Sequence, residues 1–142
     1  MGSRSAIELL QLPVQLNGIR LGRPIDLLLD SAEWRALGFV VLCGDESRRF
    51  LVFAAADLQE DAIDVRSALL LLDDVEFYAD RSRSLRELLG GDVANGRGEL
   101  CDLLLAPDGG VEALLVDQDG AVCEVRPADT TVEAGHVSPA RG

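Results

Sequence analysis

The chain contains no lysine. Its 13 basic residues are all arginine, and against them stand 25 acids, for a formal net charge of −12. Residues 1–78 carry 7 Arg and 13 acids, and residues 79–142 carry 6 Arg and 12 acids, so each half is −6 and the acidity is not confined to a tail. A surface of this sign repels phosphate backbones and anionic membranes, which argues against direct nucleic-acid binding. It keeps an apolar chain in solution and suits a basic partner.

Histidine is nearly absent. His136 stands alone in "EAGHVSPARG", a stretch of small residues expected to be mobile and poorly suited to hold a catalytic imidazole. Cys43, Cys101 and Cys123 form no CxxC pair and sit among apolar neighbours, so they read as buried, reduced thiols of a cytoplasmic protein. One histidine and scattered cysteines leave no transition-metal pattern. No apolar run is long enough to cross a bilayer, and the longest, Ala68 to Leu72, reads as a buried strand. The opening "MGSRSAIELL" lacks the long apolar segment of a signal peptide, and Gly2 and Ser3 receive no functional weight. "GGDVANGRG" is glycine-rich but has no Lys-Ser/Thr and leads into a strand, so it is not a phosphate loop. The densest acidic stretch (Asp57, Glu60, Asp61 and Asp64) lacks the spacing and glycine of a calcium loop and reads as a solvated turn.

What the chain does have is a repeat. "DLLL" runs from Asp26 to Leu29 and again from Asp102 to Leu105. Upstream, Glu8-Leu9-Leu10 matches Glu87-Leu88-Leu89, Val14 matches Val93, and Asn17-Gly18 matches Asn95-Gly96. Gly22 and Gly98 each precede their aspartate by four residues. Downstream, "DSAEW" and "APDGG" are turns, "ALGFVVL" and "VEALLVD" are strands, and "CGDES" and "QDG" are second turns. "RRFLVFAAADL" and "AVCEVRPADT" then end alike at Ala56-Asp57 and Ala128-Asp129. The offset drifts from 79 to 72 residues, and each change falls in a turn, as length differences between true repeats do.

Short strands of Val, Ile, Leu and Phe between Gly, Asn and Asp turns predict an all-β chain of small barrels. One helical element is expected at "SRSLRELLGG", capped by Ser82 or Ser84, with Glu87 in the capping-box position for Ser84, and stopped by Gly90. Ser5 and Glu8 predict a shorter version near the start. Strand alternation places Ile25, Leu27 and Leu29, and likewise Cys101, Leu103 and Leu105, on the interior. Leu28 and Leu104 then point outward and call for cover from the other copy or from a partner. Phe39, Phe50 and Phe53 read as core.

"LRELLGGDVANGRGELCDLLLAPDGGVEALLVD" resembles the PRC-barrel family. The matching features are the opening turn Leu88-Leu89-Gly90, the turns at Asn95-Gly96 and Asp108-Gly109-Gly110, Gly98, the strand Asp102 to Leu105 and the strand Val111 to Val116. That family includes the cytoplasmic barrel of the photosynthetic reaction-centre H subunit and the C-terminal barrel of ribosome maturation factors. Copy one departs from the pattern at Gln11, Pro24 and Trp34, and Pro24, which removes a ladder donor, predicts an edge or a bulge. The resemblance implies two tandem small barrels, residues 1–78 and 79–133, with a flexible tail over 134–142, arranged as a pseudo-dimer. It implies an assembly or docking module with no catalytic residues and no cofactor.

The repeated carboxylates Asp26 and Asp102 are the tempting acid pair, but their repetition at one structural place favours a structural task, such as pairing an arginine or turn amides. The candidates for contact with a partner are Leu28, Trp34, Phe77, Tyr78 and Leu104. The expected function is that of a non-enzymatic adaptor for a protein partner, with a homo-oligomer as one assembly open to it. One alternative is a ribosome-assembly role through a basic ribosomal protein. Another is a carrier of a small hydrophobic ligand or quinone between the barrels.

Overall fold

The computed structural model describes residues 2–30, 32–93, 98–127 and 132. Strand dominates, with three short helices and a curled half-barrel sheet. In chain order the elements are β1 (Arg4–Ser5), α1 (Ala6–Leu9), β2 (Val14–Leu16), β3 (Ile19–Asp30), β4 (Ala36–Cys43) and β5 (Arg48–Val52). They continue with β6 (Asp57–Leu58), β7 (Ile63–Asp64), β8 (Leu71–Leu72), α2 (Val75–Ala79), β9 (Ser82–Ser84), α3 (Leu85–Leu88), β10 (Asp92–Val93), β11 (Gly98–Leu105), β12 (Val111–Gln118) and β13 (Ala121–Val125).

The larger sheet runs β6-β7-β2-β3-β4-β5-β8, with β9 also on β3. The smaller runs β1-β11-β12-β13, with β10 also on β11. The turn joining β2 to β3 is Asn17-Gly18, both at positive φ, the geometry that makes Asn-Gly a hairpin signal. The counterpart Asn95-Gly96 lies outside the described residues, as do His136 and residues 134–142.

The two repeats exchange their opening segments. β1 comes from the first repeat but pairs with β11 of the second, Arg4 opposite Leu105 and Ser5 opposite Leu104. β9 comes from the second repeat but pairs with β3 of the first, Arg83 opposite Leu29 and Ser84 opposite Leu28. Each helix follows its strand and packs over the strand of the other repeat. Both helices are single turns of four residues, so the first is no shorter than the second. Ser5 caps the first, accepting from the Glu8 amide, and of the two candidates for the second Ser84 is the cap, accepting from the Glu87 amide. Gly90, at φ +84, ends the turn after α3.

A second seam joins the turns between β3 and β4 and between β11 and β12. The Ala36 amide donates to the Gly109 carbonyl at 2.8 Å and the Val111 amide to the Trp34 carbonyl at 3.0 Å. Leu27, Leu29, Phe39 and Phe53 of the first repeat and Leu103, Leu105 and Leu114 of the second therefore share one hydrophobic cluster. Gly109 sits in this seam at φ +94, and a Cβ there would meet the Phe53 ring at 3.0 Å. Gly109→Val should cost about 1–3 kcal/mol of stability in urea unfolding, from backbone strain and the displaced ring.

Several expectations need correction. Ile25 does not share the interior with Leu27 and Leu29. The register slips between Pro24 and Asp26, a bulge at the anticipated proline, and Ile25 turns to the outer face. The same slip between Leu100 and Asp102 puts Leu100 in the core, while Cys101 is half-buried. Residues 68–72 are not one buried strand. Ser67 caps a 3-10 turn over Ala68–Leu70, only Leu71 and Leu72 pair with β5, and Leu69 is 87% exposed. All three thiols are free and half-buried rather than buried. Burial, with the nearby Asp102 and Asp117 charges, still pushes the Cys101 thiol up.

Candidate functional site

The twin aspartates hold the exchanged segments. Asp102 accepts the Ser5 hydroxyl, the Ile7 amide at 3.0 Å and its neighbouring Leu103 amide at 2.7 Å. Asp26 accepts the Ser84 hydroxyl, the Arg86 amide at 3.1 Å and the Leu27 amide at 2.8 Å. Each carboxylate thus satisfies one hydroxyl and two amides, two of the three donors coming from the other repeat. Each carboxylate thereby ties the start of a helix from one repeat to a strand of the other. Of the two structural roles expected, the turn-amide one is realised.

The signal missed in the sequence is a longer repeat. Ser3-Arg4-Ser5 matches Ser82-Arg83-Ser84, and the structure uses Arg4-Ser5 and Arg83-Ser84 alike. Ser3, given no weight above, belongs to this match, and its hydroxyl donates to Glu112.

The candidate contact residues disperse. Trp34 is half-buried against the shared core, with the Arg83 guanidinium 4.5 Å above its ring, in the seam between repeats. That guanidinium also donates to the Asp30 carbonyl at 3.1 Å. Leu28 is 3% exposed and lies with Val40 and Phe50 in a second cluster on the outer face of the larger sheet. The cover is α2, which was not anticipated. Its Val75 and Tyr78, three residues apart, point at that face, and Tyr78 stacks on Phe50 with ring centroids 4.0 Å apart. Such a stack is worth about 0.5–1.5 kcal/mol beyond area burial. Phe77, on the solvent side of α2, is 52% exposed beneath the Arg81 guanidinium.

Beside α2 lies an open cleft of about 470 Å³, floored by Leu28, Val40 and Val75 and edged by Arg48, Arg86 and Glu87. Leu104, the counterpart of Leu28, has a different setting. It is half-buried on the outer face of the smaller sheet, and among the described residues it joins neither hydrophobic cluster. The twin outward leucines therefore do not meet each other: one is covered from within the chain and the other is not part of any described core.

Among the described residues, no group of three or more His, Cys, Asp or Glu could hold a metal ion, and no helix is long and apolar enough to cross a membrane. No protein-family model matches the chain, and no curated protein matches it.

Proposed function

We propose that the chain is a non-enzymatic adaptor: two PRC-barrel-like units, residues 1–78 and 79–133, fused as an intramolecular pseudo-dimer that docks another protein in a cytoplasmic setting. The observation that carries this reading is the reciprocal exchange of opening segments, with Ser5 on Asp102 and Ser84 on Asp26. Two identical chains exchanging the same segments would form an isologous dimer with these contacts. The fusion builds that arrangement into one polypeptide. It also occupies the two carboxylates that were the best acid pair in the sequence, which favours assembly over catalysis.

The test is cross-linking in the native cell followed by mass spectrometry. The chain has no lysine, so the cross-linker must be photoreactive or carboxylate-directed. One recurrent protein partner is expected. Repeated absence of any recurrent partner would sink the adaptor reading, and stoichiometric co-purification of a small hydrophobic molecule or quinone would replace it with the carrier.

A further inference from the structure

We propose that the outer face of the smaller sheet, centred on Leu104 and Leu115, docks a basic amphipathic helix of the partner protein. This rests on the adaptor reading and specifies the partner's chemistry.

The larger sheet supplies the internal precedent. Across it, Asp26, Val40, Phe50 and Leu72 stand in one row, and α2 lies on that row. The basic residues at its rim are Arg48 and Arg86, and the linker that crosses it is mainly acidic, with Asp73, Asp74, Glu76 and Asp80 against Arg81. Arg49 pairs with Asp73. The cover is a short helix presenting an i, i+3 apolar pair, of the charge opposite to the rim beneath it.

The smaller sheet repeats the geometry with the charge inverted. Asp102, Leu115 and Glu124 form the corresponding row, so Glu124 stands where Phe50 does. Val122, opposite Asp117, takes the place of Arg48, opposite Leu42. Ile7, whose amide binds Asp102, takes the place of Arg86, whose amide binds Asp26. The apolar members are thus Ile7, Leu104, Leu115 and Val122, and Val122 is 60% exposed.

Beside them Asp92, Glu99 and Asp117 stand directly opposite one another across β10, β11 and β12. Like charges in cross-strand register are destabilising, and cationic side chains from outside relieve them. Arg97, two residues before Glu99, lies outside the described residues, and Arg126 follows β13. An apolar centre edged by a row of acids complements a helix with apolar residues at i, i+3 and i+4 and Lys or Arg beside them. A second copy of this chain, at −12, brings the wrong charge.

The full chain is titrated, by fluorescence anisotropy, with a labelled Leu/Lys amphipathic peptide of about fourteen residues, roughly four helical turns. Comparison peptides are a scrambled version and one with Glu for Lys. The amphipathic Lys peptide should bind at least about tenfold more tightly than either, and Leu115→Arg should weaken it at least about tenfold. Val122→Arg, at an exposed position that folding tolerates, should weaken it about threefold or more, and Leu69→Arg should leave it unchanged. Equal binding of the scramble, or indifference to both Leu115→Arg and Val122→Arg, overturns the inference. So does a homodimer that Leu115→Arg dissociates, or a tenfold gain in peptide affinity on removing residues 133–142, since either would give the face another occupant. A recurrent partner whose photo-cross-links arise from α2 and Leu69 rather than Leu104 would overturn this inference while leaving the adaptor reading standing.

Discussion

Asp26→Ala combined with Asp102→Ala should lower the unfolding free energy by about 2–6 kcal/mol, measured by urea denaturation followed by circular dichroism. Each substitution removes an acceptor that serves one hydroxyl and two amides in a partly buried setting. Leaving a buried donor unpaired costs about 1–3 kcal/mol. The two clasps share no partner, so their losses should add. Against a total stability of about 5–15 kcal/mol for a domain, the double variant would stand near the edge of folding.

The loss should be localised as well as large. The amides of Ile7 and Arg86 should exchange with solvent much faster, because both exchanged segments are released together. Released segments can pair with a second molecule, so the double variant should also form concentration-dependent oligomers by swapping. Asn at both positions retains the acceptor oxygen and should recover part of the loss. If each single alanine variant lost under about 0.5 kcal/mol, the value typical of a neutral surface change, the clasps would not be what holds the repeats together.

Gly38→Val should be the most damaging single substitution, at about 3 kcal/mol or more, with loss of the Tyr78 fluorescence environment before global unfolding. Gly38 lies on β4 opposite both Leu28 and Val52. A Cβ there would collide with the Leu51 carbonyl on the neighbouring strand and meet the Phe50 ring at 2.6 Å. Neither can move freely. The carbonyl belongs to β5, and Phe50 is fully buried and stacked under Tyr78. Moving the ring displaces Tyr78, lifts α2 and exposes Leu28, so the damage spreads along the covered face. A Gly38→Val chain with unchanged stability would mean that β5 can shift away at little cost, contrary to close packing of this face.

Much of the local structure was legible. Ser5 with Glu8 and Ser84 with Glu87 announce two capped turns, because a hydroxyl three residues before an acid satisfies amides that a helix start leaves free. Asn17-Gly18 announces its hairpin, and Pro24 its bulge. Alternation placed Leu27, Leu29, Leu103 and Leu105 inside, where all four are fully buried. Alternation failed at Ile25, since a bulge inserts one residue and reverses the facing on one side of it. The covered outer face was not legible because its cover comes from Val75 and Tyr78, far along the chain from Leu28. The apolar row on the larger sheet and the acid-edged row on the smaller depend on which residues stand opposite across strands.

The amino-acid sequence by itself determined that the chain is mostly β, with paired caps, paired strands and paired aspartates. Those features depend on neighbours along the chain, and local chemistry suffices to specify them. The sequence did not determine which aspartate each serine would bind. Ser5 finds the same acceptor geometry at Asp26 as at Asp102, and Ser84 likewise, so the local energies of the direct and exchanged pairings are alike. The tertiary structure decided for exchange through contacts between distant residues: the single core holding Leu27 with Leu103, and the seam from Ala36 to Gly109. It decided by the same means that Leu28 is covered from within the chain, because the segment after β8 carries Val75 and Tyr78 back over the larger sheet.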